Sequence, residues 1–169
     1  LENGNIEARV IWQGNTATAV GEVKFVRGLF PEDFAPALGS DWISTNTIIN
    51  PRIVKSTLVD KSEGLETARV DIKLPFPLWT RAMYTTKYYS SDPKEVSHYT
   101  SGQHIEKIIK KNFTSKDKKN FVLADCFLNG WLVEAVKDKK GDVIGSRILY
   151  LNSIDFGASI PEFVQNVTT

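Results

Sequence analysis

The chain has one cysteine, one methionine and two histidines in 169 residues. Cys126 has no internal partner, which excludes a disulfide-built scaffold and favours a reducing, intracellular setting, cytoplasmic or organellar. His98 and His104 stand six apart and no cysteine lies near them, so no metal site is expected. Charge of one sign is lacking too: 21 Lys+Arg against 20 Asp+Glu leaves +1. That balance argues against nucleic-acid binding, which usually shows a basic excess. No apolar run is long enough to span a membrane, and the opening Leu1-Glu2-Asn3-Gly4 is not a signal peptide. There is no Gly-x-Ser-x-Gly nucleophile elbow. Gly28 and Gly39 have no Gly-Lys-Ser/Thr companion, so there is no phosphate loop, and no cofactor is expected.

What is there is ordinary globular composition, 41% hydrophobic and 24% charged, in a length that suits a single domain over residues 1–169. Strand patterns dominate. Ile6, Ala8, Val10 and Trp12 alternate with polar residues, and a turn at Gln13-Gly14-Asn15 leads into a return strand from Ala17 to Val26. Pro31, Glu32 and Asp33 open a short helix that Gly39 ends. Further strands are read at 53–59, 66–74, 82–89, 96–100 and 144–155. Residues 121–136 read as a long strand or as a strand pair interrupted at Asn129-Gly130. Helical spacing of Ile105, Ile108 and Ile109 predicts a helix over 104–113. A last helix begins near Pro161, with Phe163, Val164 and Val167 on its apolar side. Long strands with helices at the edges indicate an α+β domain, and a curved antiparallel sheet wrapped on a helix is one solution. Its concave side must be filled by core side chains or by a ligand.

Within 66–74, Ala68, Val70, Ile72 and Leu74 share a face and Thr67, Arg69, Asp71 and Lys73 the other, the pattern of a half-buried strand. Val70, Ile72 and Trp131 are expected to enclose an apolar space under the terminal helix. Met83 suits a pocket wall, because its flexible side chain adapts, and suits plain core as well. Trp12, Trp42, Trp79 and Trp131 are read first as packing residues; Trp79, in a proline-flanked loop, is the best candidate for an exposed aromatic. Arg69 and Asp71 read as a solvated outer face, the alternative being a charged group inside the cavity. Six lysines lie between Ile105 and Lys119. A solvated loop is the favoured reading; with Ile108, Ile109 and Phe113 the alternative is docking on an anionic membrane.

Several segments together resemble the START domains, lipid-binding modules of the helix-grip fold. They are Ala124-Asp125, Gly130-Trp131-Leu132-Val133-Glu134, Arg147 to Asp155, Ile160-Pro161 and Asn166. Phe30 to Leu38 with Trp42, and Leu74 to Arg81, resemble earlier parts of the same pattern. Two positions depart: Ala82 stands where an aspartate is usual and Leu123 where an arginine is common. The long N-terminal helix is missing before Ile6 and the terminal helix is short, as in a trimmed fragment of a longer chain or a domain with a short lid. The resemblance implies non-catalytic binding of a lipid or other hydrophobic molecule in a cavity between sheet and C-terminal helix. It makes Trp42, Val70, Ile72, Met83, Trp131 and Phe163 cavity-lining candidates and Arg69, Asp71 and Arg81 headgroup candidates. It also places the lysine segment near the cavity mouth, where Lys107, Ile108, Lys110, Lys111, Lys118 and Lys119 would meet a membrane. Two rival readings are an accessory or scaffold subunit of a larger assembly with protein partners, and a cyclase-type enzyme on the same fold.

Overall fold

A computed structural model describes residues 6–62, 64–92, 94–103, 105–161 and 165. Strands β1 (Ile6–Gln13) and β2 (Thr16–Arg27) form the first hairpin. Helices α1 (Pro31–Leu38) and α2 (Trp42–Ile49) follow. Then come β3 (Ile53–Ser62), β4 (Leu65–Ile72), β5 (Arg81–Asp92) and β6 (Glu95–Ser101). A short helix α3 (Glu106–Asn112) and a 3-10 turn (Asp117–Lys119) precede β7 (Val122–Lys137) and β8 (Val143–Asp155). The expected terminal helix, with Phe163, lies outside the described residues.

The strands make one eight-stranded curved sheet in the order β1-β2-β8-β7-β6-β5-β4-β3. Neighbours in that order pair antiparallel. β6 is short, so past its end β5 and β7 close on each other in parallel, Arg81 to Met83 against Val122 to Ala124. This is the expected α+β architecture with a curved antiparallel sheet, with β1 and β3 as its edges.

α1 starts where the sequence predicts: the Phe30 N–H donates to the Asp33 carboxylate at 2.8 Å, satisfying a donor at the helix start. The helix packs across β5, β6 and β7. Leu38 joins Val96 and Val133 in a buried cluster beneath it, with Phe34, Trp131 and Ile148 at its margin. A second cluster fills the opposite end of the same face: Val70, Ile72, Met83, Ala124, Cys126 and Ile154. The side carrying both clusters is the concave side.

One alternative is resolved and one expectation changes. Asn129-Gly130 does not break the chain into two strands; β7 runs unbroken for 16 residues. Gly130 is paired with Tyr99, and a Cβ there would meet the Tyr99 Cβ at 3.2 Å, so the glycine serves close strand approach and not a turn. β4 is not half buried: Thr67 and Asp71, on its outer face, are as enclosed as Ala68 and Val70. The 105–121 segment covers that outer face.

Candidate functional site

Register and alternation determine which side chains line the concavity. Across its middle, Trp131 of β7 pairs with Tyr150 of β8 and His98 of β6, and Tyr150 with Gly21 of β2. The Trp131 and Tyr150 rings lie 4.4 Å apart. In the next row toward the end of β8, Asn129 faces Asn152, flanked by Ala19. One row further, Ile154 lies between Cys126 and Ala17, which pairs with Trp12. Trp12 stacks on Phe156 at 5.7 Å. The floor is therefore aromatic and aliphatic, with small residues along β2. Burial pushes the Cys126 thiol up to about 12 and, against a hydrogen bond from Asn152, the Tyr150 hydroxyl up to about 12.

Charged groups sit at one end of this floor, under α1 and α2. Lys87 bonds Glu66 directly across β5–β4 at 2.7 Å and also donates to the Gly39 carbonyl at 3.0 Å. The Trp42 indole N–H donates to Glu66 at 3.0 Å, and Lys61 reaches the other carboxylate oxygen at 3.0 Å. Hydrogen bonds from Lys87, Lys61 and Trp42 bring the Glu66 carboxyl down to about 2. His98 stands beside Trp42, ring centroids 5.8 Å apart, with Nδ1 2.6 Å from the Leu38 carbonyl. Sequence reasoning missed Glu66, Lys87 and His98 as parts of this site. One signal was available: Glu66 continues the apolar face of Ala68, Val70 and Ile72 with a charge, which needs a partner when enclosed.

Arg81 occupies the other end of the concave side and is 2% exposed. Its Nε donates to the Phe156 carbonyl at 2.8 Å and its Nη1 to the Trp79 carbonyl at 2.6 Å. It ties the 73–80 loop to the segment leading out of β8. A depression of about 370 Å³ beside it is lined by Pro77, Leu78, Trp79, Val122, Ala158 and Ser159. Trp79 is exposed, as expected, at 54%, and Phe76 more so at 94%.

The lining candidates divide. Trp42, Val70, Ile72 and Met83 all lie on the concave side but are buried, the last three in one packed cluster and Trp42 against Glu66 and His98. Trp131 is half-buried at the centre of the floor. Arg69 and Asp71 do not face the cavity, a correction to the headgroup reading: strand alternation puts them opposite Val70 and Ile72. There Arg69 bonds Asp71 at 2.8 Å and Asp117 at 2.6 Å, and its guanidinium lies over the Phe121 ring. The pair holds the 105–121 segment against the outer face of β4. Hydrogen bonds from Thr114 and Arg69 keep the Asp117 carboxyl far below the usual carboxylate range. Lys107, Lys110, Lys111, Lys116, Lys118 and Lys119 are exposed on that segment, and Ile108 is half-buried. The outer face also carries an apolar groove of about 620 Å³ over β2, β8, β7 and β6, floored by Val20, Tyr99, Leu132, Leu149 and Leu151.

No family model matches the chain, and neither does any curated protein sequence. Solved structures do. The crystal structure of human STARD10 superposes over 95% of this chain with a TM-score of 0.66 at 13% identity, and this chain spans 66% of that one. The fold is that of the START domains. The human StarD13 (DLC2) lipid transfer and protein localization domain gives 0.66 over 97% of this chain and 77% of its own, at 14% identity. A STAR-related lipid transfer protein fragment from Xanthomonas axonopodis gives 0.63 over 96% and 84%, at 18% identity. Against the START pattern the two departures at 82 and 123 become one: Ala82 and Leu123 are direct partners in the parallel β5–β7 register. Among the described residues no helix is long and apolar enough to cross a membrane.

Proposed function

We propose that this chain binds a hydrophobic ligand, a lipid above all, on the concave side of its START-like sheet, without chemistry. The supporting observation is the character of that side: an aromatic and aliphatic floor whose charged groups, among the described residues, are engaged. Glu66 is held ionised by Lys87, Lys61 and Trp42. Burial keeps His98 neutral at physiological pH. Arg81 is committed to two carbonyls. A cyclase-type enzyme needs a group free to give or take a proton against its substrate, and these groups are occupied. Binding would draw on burial, about 0.8 kcal/mol per CH₂ taken from water, less the cost of ordering ligand and protein. Two of the similar structures, human StarD13 and the Xanthomonas axonopodis fragment, are named for lipid transfer, which favours the same reading. Native mass spectrometry after incubation with a total lipid extract tests it. A discrete added mass, released by organic solvent, is expected; a protein that stays ligand-free across the extract overturns the reading.

The accessory-subunit reading draws support from the apolar groove on the outer face, an unusual feature to leave to water. A ligand-free oligomer or an obligate partner in the same spectra would favour it.

A further inference from the structure

Asn129 and Asn152 face each other across β7 and β8 in the middle of the concave floor. The Oδ1 atoms of both are shut off from water and have no hydrogen-bond partner, and the indole nitrogen of Trp12, one row away, is in the same condition. Buried polar atoms are normally paired, and an unmatched one in an apolar wall costs stability unless something arrives to meet it. The Tyr150 hydroxyl, two residues back on the same strand face, is the polar group that interacts with the Asn152 side chain, whose oxygen stays unmatched. Beside it β2 presents only Ala17, Ala19 and Gly21, the smallest side chains on the floor.

The charged groups of this side are already spoken for: Lys87 by Glu66 and the Gly39 carbonyl, Arg81 by the Phe156 and Trp79 carbonyls. Among the described residues, a phosphate or carboxylate entering between the two amides would meet two acceptor oxygens and no free cation. A hydroxyl or N–H would meet two acceptors. Resting on the reading that the concavity binds an apolar ligand, we propose that Asn129 and Asn152 recognise an uncharged hydrogen-bond donor carried on that ligand. The ligand class is then a neutral alcohol or amide with a long apolar body, and not an anionic lipid anchored by its headgroup. The Trp12 indole N–H supplies a donor for an acceptor on the same molecule.

A matched pair of probes tests the assignment. 1-Hexadecanol donates a hydrogen bond; its methyl ether, 1-methoxyhexadecane, only accepts. Displacement of a fluorescent fatty-chain probe from the full chain should show the alcohol binding at least 10-fold tighter, although its hydroxyl costs more to desolvate. In the Asn129→Leu/Asn152→Leu variant the ether should bind as before and the alcohol no better than the ether. Equal binding of both probes by the wild type overturns the assignment and leaves the apolar-ligand reading standing; binding of neither overturns both. Thermal unfolding provides the second readout. Removing unmatched acceptors should leave the ligand-free variant at or above the wild-type midpoint, whereas a fall of several degrees would make the amides structural and overturn the proposal. Should the variant not fold, the wild-type ratio of the two probes decides alone.

Discussion

Burial brings the His98 pKa from 6.5 down to about 4, helped by the nearby Lys87 charge and opposed by the bond to the Leu38 carbonyl. The unfolded chain therefore takes up its proton first. Stability from this residue is full above pH 6.5 and declines as pH falls to about 4, by about 3 kcal/mol at 1.36 kcal/mol per pH unit. Glu66 behaves in the same sense at lower pH: its pKa is depressed from 4.5 to about 2, so its contribution is present above 4.5 and is lost as pH falls toward 2. Acid sensitivity thus arrives in two windows, histidine first. Urea unfolding of wild type and His98→Gln at pH 7, 5.5 and 4 separates them. The variant should lose the decline between 6.5 and 4; an unchanged decline would assign it elsewhere. A lone histidine in a strand gives no hint of this from sequence, because its partner, the Leu38 carbonyl, is 60 residues away.

Among the elements, the strands were legible and their surroundings were not. Period-two alternation in 6–12 and 66–74 predicts both the strands and the faces they present. α2 was not legible. Its sequence, Trp42-Ile-Ser-Thr-Asn-Thr-Ile-Ile49, is β-branched and hydroxyl-rich, with weak intrinsic helix preference. Tertiary contact supplies what propensity lacks: Trp42 is buried and bonded to Glu66, and the Ser44 hydroxyl donates to the Asp41 carbonyl at 2.8 Å. The outer burial of β4 was equally hidden, because the segment that covers it lies some forty residues downstream. The exit from β8 is the tightest joint. Gly157 has φ +71°, and a Cβ there would fall 1.9 Å from the Leu123 carbonyl oxygen. Gly157→Ala combines a disfavoured backbone with a clash against main chain, and should cost roughly 2–4 kcal/mol in urea unfolding. A loss below 1 kcal/mol would mean that β8 and β7 part more easily at this end than their packing suggests.

At the scale of the whole molecule, near-neutral charge means little long-range attraction to any surface, so attraction must be local, within a Debye length of about 8 Å at physiological salt. The exposed lysines of 107–119 are such a local patch. Phe76 and Trp79 project from the 73–80 loop, which joins β4 to β5, and the lysine segment leads into β7 beside the start of β5. Vesicle co-sedimentation measures whether charge and aromatic surface act together. Binding should rise with anionic lipid, weaken with salt, and fall several-fold when Lys110, Lys111, Lys118 and Lys119 become glutamine. Equal sedimentation of wild type and variant would leave the lysines as a solvated surface. The patch itself was plain in the sequence; its seat was not, because Arg69 and Asp71, read first as a solvated outer face and only alternatively as cavity groups, prove to be what fastens it to that outer face.

The direct parallel contact of β5 with β7 makes residues 103–121 a detour. Gly102 donates its N–H to the Cys126 carbonyl at 2.7 Å, and a Cβ there would come within 3.0 Å of the Tyr84 carbonyl oxygen, so the two strands are already zipped where the detour leaves. Both ends are thus fixed by pairing that the detour does not make. Lengthening such a loop adds only a logarithmic entropy cost, about 0.6 kcal/mol for each doubling. The detour is accordingly where this architecture can exchange one surface for another, as a tool takes a new head on the same shaft: basic or acidic, membrane-seeking or partner-seeking, while the grip behind it keeps its shape.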